Sequence, residues 1–318
     1  MGININAGYG RLLAESIAAH HPKTGRVYFV ATTSVAGWEE FSEMFPTGPE
    51  GNTRVFTTLK GLLDADVIED GGDDIVYVLP NHTENITSAG AIDTGTDSAG
   101  LTIIGLGEQD ERPLLTFSGA TTADLNVGSN GVTFENLRFD LTGIDALAGP
   151  LDINDSGCTF RKCEFITADS GGQCVTGIVT DNAADYLTID DCKFYGKESG
   201  NTSAIRLIGS DYVTIKDSFF EGDYKVTIGA IEATTTAVAF LNIKNCEILN
   251  NKPSSVAAMN FVNGSTVTVV GCRIGVRSGT TPITLNEGAN GNGGAGGRVL
   301  TGGNWFRGAT TIAAGTLL

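Results

Sequence analysis

Residues 132–139 read VTFENLRF, and this eight-residue pattern returns five more times before residue 275. Each copy alternates apolar and polar residues, breaks the alternation at its fifth position and then resumes it, which is typical of a strand with a bend. Successive copies begin 26–29 residues apart, and a repeat of this length predicts a solenoid that adds one supersecondary unit per period. The other copies are CTFRKCEF (158–165), LTIDDCKF (187–194), VTIKDSFF (213–220), LNIKNCEI (241–248) and VTVVGCRI (267–274).

Aligned as stacked rungs, the copies predict which side chains face the core. Positions one and three are apolar in every copy, and the bend resets the alternation so that positions six and eight also point inward. Position five should carry the bend, because its residue types tolerate left-handed backbone, Lys162 excepted. Position five holds Asn136, Lys162, Asp191, Asp217, Asn245 and Gly271, and position eight holds Phe139, Phe165, Phe194, Phe220, Ile248 and Ile274.

Two outward positions carry charges that alternate in sign between rungs, over the first four rungs at position four and the first three at position seven. Parallel neighbours lie about 4.8 Å apart, so side chains at the same position contact each other. Opposite charges in such rows contribute about 0.2–1 kcal/mol each, and we interpret them as pairing along the sheet face. Position four holds Glu135, Arg161, Asp190, Lys216, Lys244 and Val270, and position seven holds Arg138, Glu164, Lys193, Phe219, Glu247 and Arg273.

A further strand is predicted after each copy of the pattern. Two or three strands per turn give an all-β fold, a right-handed single-stranded parallel β-helix of about eight turns with a short N-terminal helical cap. The candidate strands are 151–153, 175–180, 204–209, 226–233, 257–263 and 282–287.

The chain contains six cysteines, and four of them share position six. There Cys behaves as a small buried apolar residue. Stacked neighbours keep their Cβ atoms farther apart than a disulfide allows, and an inward row does not supply converging metal ligands. We expect reduced thiols, consistent with synthesis in a reducing cytoplasm. The four are Cys163, Cys192, Cys246 and Cys272.

Charge and hydropathy exclude two classes of partner. Asp and Glu number 37 against 20 Lys and Arg, a formal net charge of −17, which disfavours nucleic acid because phosphate binding needs a basic face. No apolar run is long enough for a membrane span, and the N-terminus lacks the apolar core of a signal peptide. We therefore expect neither a nucleic-acid nor a membrane partner.

The lead-in to the repeat resembles a known family. Residues 57–86, followed by LTIIGLG at 101–107, are similar to the first coil of pectin-lyase-like right-handed β-helices, although Asn81 replaces the usual Gly. Within that superfamily the chain resembles β-helical structural proteins of tailed bacteriophage virions, which share GRVYFV (25–30) and VYVLPNHTE (76–84). The resemblance implies a capsid-decoration or head-spike protein on the capsid surface, synthesised in the host bacterial cytoplasm. Its partners would be the major capsid protein or another virion protein.

Four segments are predicted. They are an N-terminal arm or helix (1–23), an N-terminal capping region (24–74), the parallel β-helix (75–287), and a Gly-rich C-terminal segment and cap (288–318). The arm either packs across the open end of the solenoid or docks on another protein. In the capping region we expect an apolar stripe at Trp38, Phe41 and Phe45, and a short helix at Leu59, Leu62 and Leu63, since solenoid ends need caps.

We predict no catalytic, cofactor-binding or metal-binding residue. The enzymes of the superfamily that act on acidic polysaccharides need clustered carboxylates, often with calcium. Here His20, His21 and His82 lie outside the rungs, and Asp190 lies between opposite charges. The acidic run at 69–74 could suggest calcium, but it lacks a loop motif and we favour a solvated turn. A carboxylate triad from the loops and a rim of tyrosines are the remaining possibilities for a site. They involve Asp152, Asp155, Asp181 and Asp185, and Tyr186, Tyr195, Tyr212 and Tyr224.

The sequence thus predicts a non-enzymatic virion protein that binds and stabilises the capsid surface. We expect a homo-oligomer, with a trimer matching three-fold sites on a phage head. The alternative is a polysaccharide-degrading or polysaccharide-binding module of a tailspike, with a host surface glycan as partner. A bacterial surface adhesin is disfavoured by the missing export signal.

Overall fold

A computed structural model of the chain describes residues 25–32, 53–168, 172–196, 201–262, 264–277, 283–286 and 298–307. The predicted arm, the Trp38 stripe and most of the Gly-rich segment lie outside these ranges. In the described part, the strands form three parallel sheets, and consecutive rungs of each sheet are neighbours. The predicted all-β parallel solenoid is therefore confirmed, with three strands per turn.

Sheet 1 contains eleven strands, among them the first half of every repeated pattern. It extends on both sides of the predicted 75–287 bounds, because strands near residues 27 and 298 pair with it. In spatial order its strands are Val55–Phe56, Val27–Val30, Ile75–Val78, Thr102–Gly105, Thr133–Glu135, Thr159–Arg161, Thr188–Asp190, Thr214–Lys216, Leu241–Lys244, Thr266–Val270 and Arg298–Gly302.

Sheet 2 contains nine strands, which include the second half of the pattern. In chain order they are Thr83–Ile86, Leu114–Phe117, Arg138–Asp140, Glu164–Ala168, Lys193–Gly196, Phe219–Gly222, Glu247–Asn250, Arg273–Val276 and Trp305–Arg307.

Sheet 3 contains eight strands, in agreement with about eight turns, and matches the predicted third segments. The candidate at 226–233 shortens to Ile231–Ala233, because the residues before it form a turn in which Gly229 lies against the backbone of Ala258. In chain order the strands are Ile92–Asp93, Leu125–Val127, Leu151–Ile153, Thr176–Thr180, Ser203–Arg206, Ile231–Ala233, Met259–Val262 and Ile283–Asn286.

The bend between sheets 1 and 2 is a single left-handed residue in all six rungs. The φ angle is +57° at Asn136, +52° at Asp191 and +67° at Gly271. Lys162, the predicted exception, adopts φ +53° as well. Neighbouring rungs fix the register on both sides of the bend, so its conformation is imposed whatever residue occupies it.

Rings and branched side chains fill the core along the axis. The rings of Phe139, Phe165, Phe194 and Phe220 are fully buried and stack at centroid distances of 5.0, 4.4 and 4.6 Å. Stacked aromatic pairs contribute about 0.5–1.5 kcal/mol each beyond the area that they bury. Position eight therefore points inward, and the side chains at position six are buried as well, as predicted.

One α-helix, Leu59–Leu63, closes the first coil, as expected from its leucines. Its N-terminus is held twice: Thr58 Oγ1 accepts from the amide of Gly61 at 2.9 Å, and the Glu84 carboxylate accepts from the amides of Leu59 and Lys60. A 3₁₀ turn at Gln109–Glu111 is the other helical element of the described residues. Neither is of a length and hydropathy to cross a membrane.

Candidate functional site

The charged residues at position four pair along the axis, as predicted. Arg161 lies between Glu135 at 3.7 Å and Asp190 at 3.6 Å, and Asp190 also binds Lys216 at 3.0 Å. The left-handed Lys162 reaches back to Glu135 at 3.6 Å. These carboxylates are therefore partnered by basic residues of the same and neighbouring rungs.

The row at position seven differs from the prediction at one rung. Lys193 is the register neighbour of Glu164, yet it forms no ion pair with any described residue. Glu164 instead binds Arg112, and lies 4.0 Å from Arg138. Farther along, Arg273 and Glu247 pair at 2.8 Å. The sequence did not indicate Arg112, because it belongs to the loop between two strands and not to a repeated position.

That loop borders a cleft of about 600 Å³ on the outside of the bend. Arg112 crosses it, and donates to the Lys162 carbonyl at 3.3 Å in addition to Glu164. Glu108, Asp191 and Lys193 line the same cleft and make no ion pair within the described part of the chain. The cleft presents both signs of charge and suits a polar ligand. Its other lining residues are Ile104, Gly105, Gly107, Gln109, Glu135, Asn136 and Cys163.

The loop carboxylates considered as a triad are engaged separately. Asp155 accepts from the amide of Ser156, Asp181 from that of Ala183, and Asp185 from that of Asp211, each at 2.7 Å. The first two bonds are local to their own turns, and the third joins two neighbouring rungs. The fourth candidate, Asp152, lies on the outer face of sheet 3.

On that face, Asp152 belongs to a row that the sequence did not indicate. Asn126 donates to Asp93 at 3.0 Å, and Asn154 donates to Asn126 at 2.7 Å and to Asp152 at 3.1 Å. Burial, and to a lesser extent Asp152 and Asp93, raises the pKa of the nearby Asp124 above its usual range. Asp93 ends a short strand and Asp124 lies in the turn before the next one, both ahead of the first copy of the pattern, so no periodic signal pointed to them.

Three carboxylates and two amides on one sheet face are able to bind sugar hydroxyl groups.

Within the described ranges, no group of three or more His, Cys, Asp and Glu side chains has an arrangement suited to a metal ion. In the acidic run 69–74, the buried Asp74 accepts from the amides of Arg26 at 2.5 Å and Glu69 at 2.9 Å. This carboxylate thus fixes the turn where the first coil begins.

Farther along sheet 3, the outer face carries a buried ion pair. Glu232 is 1% exposed, and its Oε1 accepts from Arg206 at 2.9 Å and Ser203 at 2.7 Å. Its Oε2 accepts from Thr234 at 2.8 Å. Both oxygens are occupied, so this network anchors neighbouring rungs.

All six cysteines are free and buried. At position six, the Cys163 and Cys192 thiols donate to the carbonyls of Phe134 and Phe160 in the preceding rung, at 3.5 and 3.4 Å. Burial raises the pKa of the Cys158, Cys174 and Cys192 thiols well above the usual range. These thiols are protected from solvent and from ionisation.

The four tyrosines interpreted as a rim occupy different environments. Tyr186 and Tyr212 are exposed at the corner between sheets 3 and 1, where they stack on each other. Tyr195 is half-buried on sheet 2. For Tyr224 the prediction was wrong, since the ring is fully buried in the core. Gly222 makes room for it: a Cβ there would lie 2.9 Å from Tyr224 Cζ.

The similarities to known proteins concern the fold. No protein-family model matches the chain, and no curated protein matches its sequence. Among solved structures, the crystal structure of pectate lyase Pel9A aligns with a TM-score of 0.52 and 12% identity, covering 92% of this chain and 78% of that one. PfbA, a surface adhesin of Streptococcus pneumoniae, aligns with a TM-score of 0.50 and 15% identity over 78% of this chain and 67% of that one.

The A-module of the Azotobacter vinelandii mannuronan C-5 epimerase AlgE4 aligns at 10% identity with a TM-score of 0.47, over 100% of this chain and 97% of that one. At such identities the pectate lyase alignment establishes architecture alone. The chain has the pectin-lyase-like right-handed parallel β-helix fold.

Proposed function

We propose that this protein is a non-enzymatic structural component of a tailed-bacteriophage virion, of the capsid-decoration or head-spike type. The observation that carries the proposal is the use of its ionic groups. Glu135, Asp190 and Glu164 bind basic side chains of the same or neighbouring rungs, and Asp185 binds a backbone amide. The charges of the repeat therefore stiffen a rod.

A stiff rod with a regular flank suits symmetric packing on a particle. The flank would contact two further copies of the chain in a homotrimer, and the rod would bind the major capsid protein. Three segments are proposed as the capsid contact, and all of them except residues 298–307 lie outside the described residues: residues 1–23, the Trp38 stripe and the Gly-rich 288–318. The resemblance of residues 76–84 to β-helical virion proteins supports the proposed virion role.

Co-sedimentation with purified capsids tests this role. The full chain should pellet with capsids at a saturable ratio and remain in the supernatant without them. A chain lacking residues 1–23 should lose binding if the arm makes the contact. Unchanged binding assigns the contact to another segment, and absence of binding by the full chain refutes the capsid role.

A polysaccharide-binding or polysaccharide-degrading module is the second candidate, and the carboxylate row on sheet 3 is the observation that favours it. The protein would be incubated with host surface glycans, and new reducing ends or unsaturated products would be measured. Asp152→Asn and Asp124→Asn should abolish any such products, whereas Asp97→Asn, at an exposed site outside the row, is the matched control.

A further inference from the structure

Three exposed aromatic rings form a column at the corner between sheets 3 and 1. Tyr186 and Tyr212 stack with centroids 5.0 Å apart, and Tyr212 and Phe240 with centroids 4.8 Å apart. Large hydrophobic residues that are this exposed are few among the described residues. We call Tyr186, Tyr212 and Phe240 the aromatic column.

The backbone at these positions is left-handed, which is rare for bulky residues. The φ angles are +59° at Tyr186, +58° at Tyr212 and +57° at Phe240. The two preceding rungs place Gly131 and Gly157 at the same position, with φ +70° and +74°. These positions are equivalent because the same hydrogen bond recurs at each of them. The backbone amide donates to a backbone carbonyl of the next rung: Gly157 to Asp185, Tyr186 to Asp211 and Tyr212 to Ala239. Costly conformations of this kind occur often at binding sites.

Gly157 and Tyr186 occupy the same position in consecutive rungs, so the face of the Tyr186 ring toward Gly157 is open. Tyr186 is 58% exposed and the central Tyr212 is 45% exposed, as expected if Tyr212 has rings on both faces and Tyr186 on one. Gly157 has no side chain to cover the other face of Tyr186. Gly131 in the rung before it has no side chain either, so a planar group has room to stack on this face of Tyr186.

Carboxylates accompany the aromatic column. Asp185 and Asp211 precede Tyr186 and Tyr212, and their Oδ1 atoms accept from the amides of Asp211 at 2.7 Å and Ala239 at 2.6 Å. No described residue donates to either Oδ2. An exposed ring face with acidic residues adjacent in the chain favours a cation, and the net charge of −17 disfavours a second copy at this corner.

The protein already contains one such arrangement. Arg273 lies over the Trp305 ring of the next rung, with Cζ 5.0 Å from the ring centroid, and binds Glu247 of the previous rung at 2.8 Å. A guanidinium thus stacks on a ring one rung away while a carboxylate pairs with it. Arginine is suited to this geometry because its planar group stacks and pairs simultaneously.

From these contacts we infer that the aromatic column is a docking surface for an arginine-bearing segment of a partner protein. The guanidinium stacks on the open face of Tyr186, above Gly157, and pairs with Asp185, the acidic residue that precedes Tyr186. Tyr212 and Phe240 extend the apolar contact along the axis. This surface is independent of the segments proposed to contact the capsid, and its test uses the free protein.

The experiment is a peptide titration followed by ¹⁹F NMR of the full chain labelled with 3-fluorotyrosine. Tyr186→Phe and Tyr212→Phe assign the two signals. The probe is acetyl-Gly-Arg-Gly-Arg-Gly-amide, and the control peptide carries norleucine in place of arginine. We expect the Tyr186 signal to shift more than that of Tyr212, the buried Tyr224 signal to stay, and binding to weaken at high salt.

A blocking variant makes the test specific to the vacant position. Gly157→Asn keeps the left-handed backbone accessible and places a side chain over the Tyr186 ring. It should therefore weaken binding of the Arg peptide about fivefold. Asp185→Asn keeps an oxygen that can accept from the Asp211 amide but removes the charge, and it should weaken binding of the Arg peptide to a similar extent.

Four results would overturn the inference. They are no Tyr186 shift with the Arg peptide, an equal shift with the norleucine peptide, a shift only with a neutral hexasaccharide, and a shift that appears when the protein alone is concentrated. The last two would assign the surface to a glycan and to a second copy, respectively.

Discussion

Phe165 and Phe194 stack with their ring centroids 4.4 Å apart and their planes inclined by 8°. They occupy the same position in consecutive rungs, and both are fully buried. The pair illustrates how the repeat holds the solenoid together: each rung presents the same side chain to the next at one strand spacing.

Removal of a ring from this stack should destabilise the protein strongly. Phe194→Ala leaves a cavity between two rungs, and we expect a loss of about 3–5 kcal/mol in the free energy of unfolding. Phe240→Ala, at an exposed ring of the aromatic column, is the matched control and should cost under about 1 kcal/mol. Guanidinium chloride unfolding followed by circular dichroism measures both. Equal losses would mean that the inner stack is not the main source of stability.

Arg112 is predicted to fasten its loop to the repeat. Arg112→Ala removes the bonds to Glu164 and to the Lys162 carbonyl, and should destabilise by about 1–3 kcal/mol. Lys193→Ala is the control, because Lys193 forms no ion pair with a described residue, and it should change stability by less than about 0.5 kcal/mol. Thermal unfolding of the two variants measures both changes in stability. A larger effect for Lys193→Ala would contradict the assigned pairing.

Asp124 should make the protein less stable as pH rises. Its pKa is raised in the folded state by burial and neighbouring carboxylates, so the folded protein binds this proton more tightly than the unfolded chain. Its stabilising contribution is present below the unfolded pKa and is lost as pH rises through the folded pKa. Asp124→Asn should therefore flatten the fall in stability above the usual aspartate pKa, and Asp97→Asn should not. A steeper fall in Asp124→Asn would refute this assignment.

The cysteines should be inert in the native protein. All six thiols are buried, and burial raises the pKa of Cys158, Cys174 and Cys192. The hydrogen bond with Cys246 lowers the pKa of Cys272, but Cys272 is only 2% exposed, so the reagent has no access to it. With Ellman's reagent at pH 8 we expect less than about one thiol to react before unfolding. All six should react in denaturant. Rapid reaction of several thiols in the folded protein would contradict the predicted burial of position six.

Periodicity decided which features could be predicted. The rungs, the bend and the inward stack repeat six times, so each position was supported by its neighbours. Arg112, Asp93 and Asp124 occur once each, outside the repeated pattern, and gave no such signal. The aromatic column was detectable in principle, because Tyr186, Tyr212 and Phe240 each immediately precede a copy of the pattern. Its left-handed backbone and stacking become visible only when the register is known.

Tyr224 shows a different limit of sequence reasoning. Its place after a strand suggested an exposed rim, but Gly196 and Gly222 lie at one register position and leave space inside the solenoid. The hydroxyl is buried with no hydrogen-bond partner among the described residues. Whether a large residue turns inward thus depends on small residues on adjacent rungs, which a pattern within one rung does not reveal.

Cryo-electron microscopy of virions purified from the cultures that produce this protein tests the proposed role most directly. The predicted result is a rod of about eight coils, roughly 40 Å long, at repeated positions on the capsid surface, in three copies around each three-fold axis. Particles that lack the protein, or that carry it only at the tail tip with glycan-cleaving activity, would contradict the capsid role.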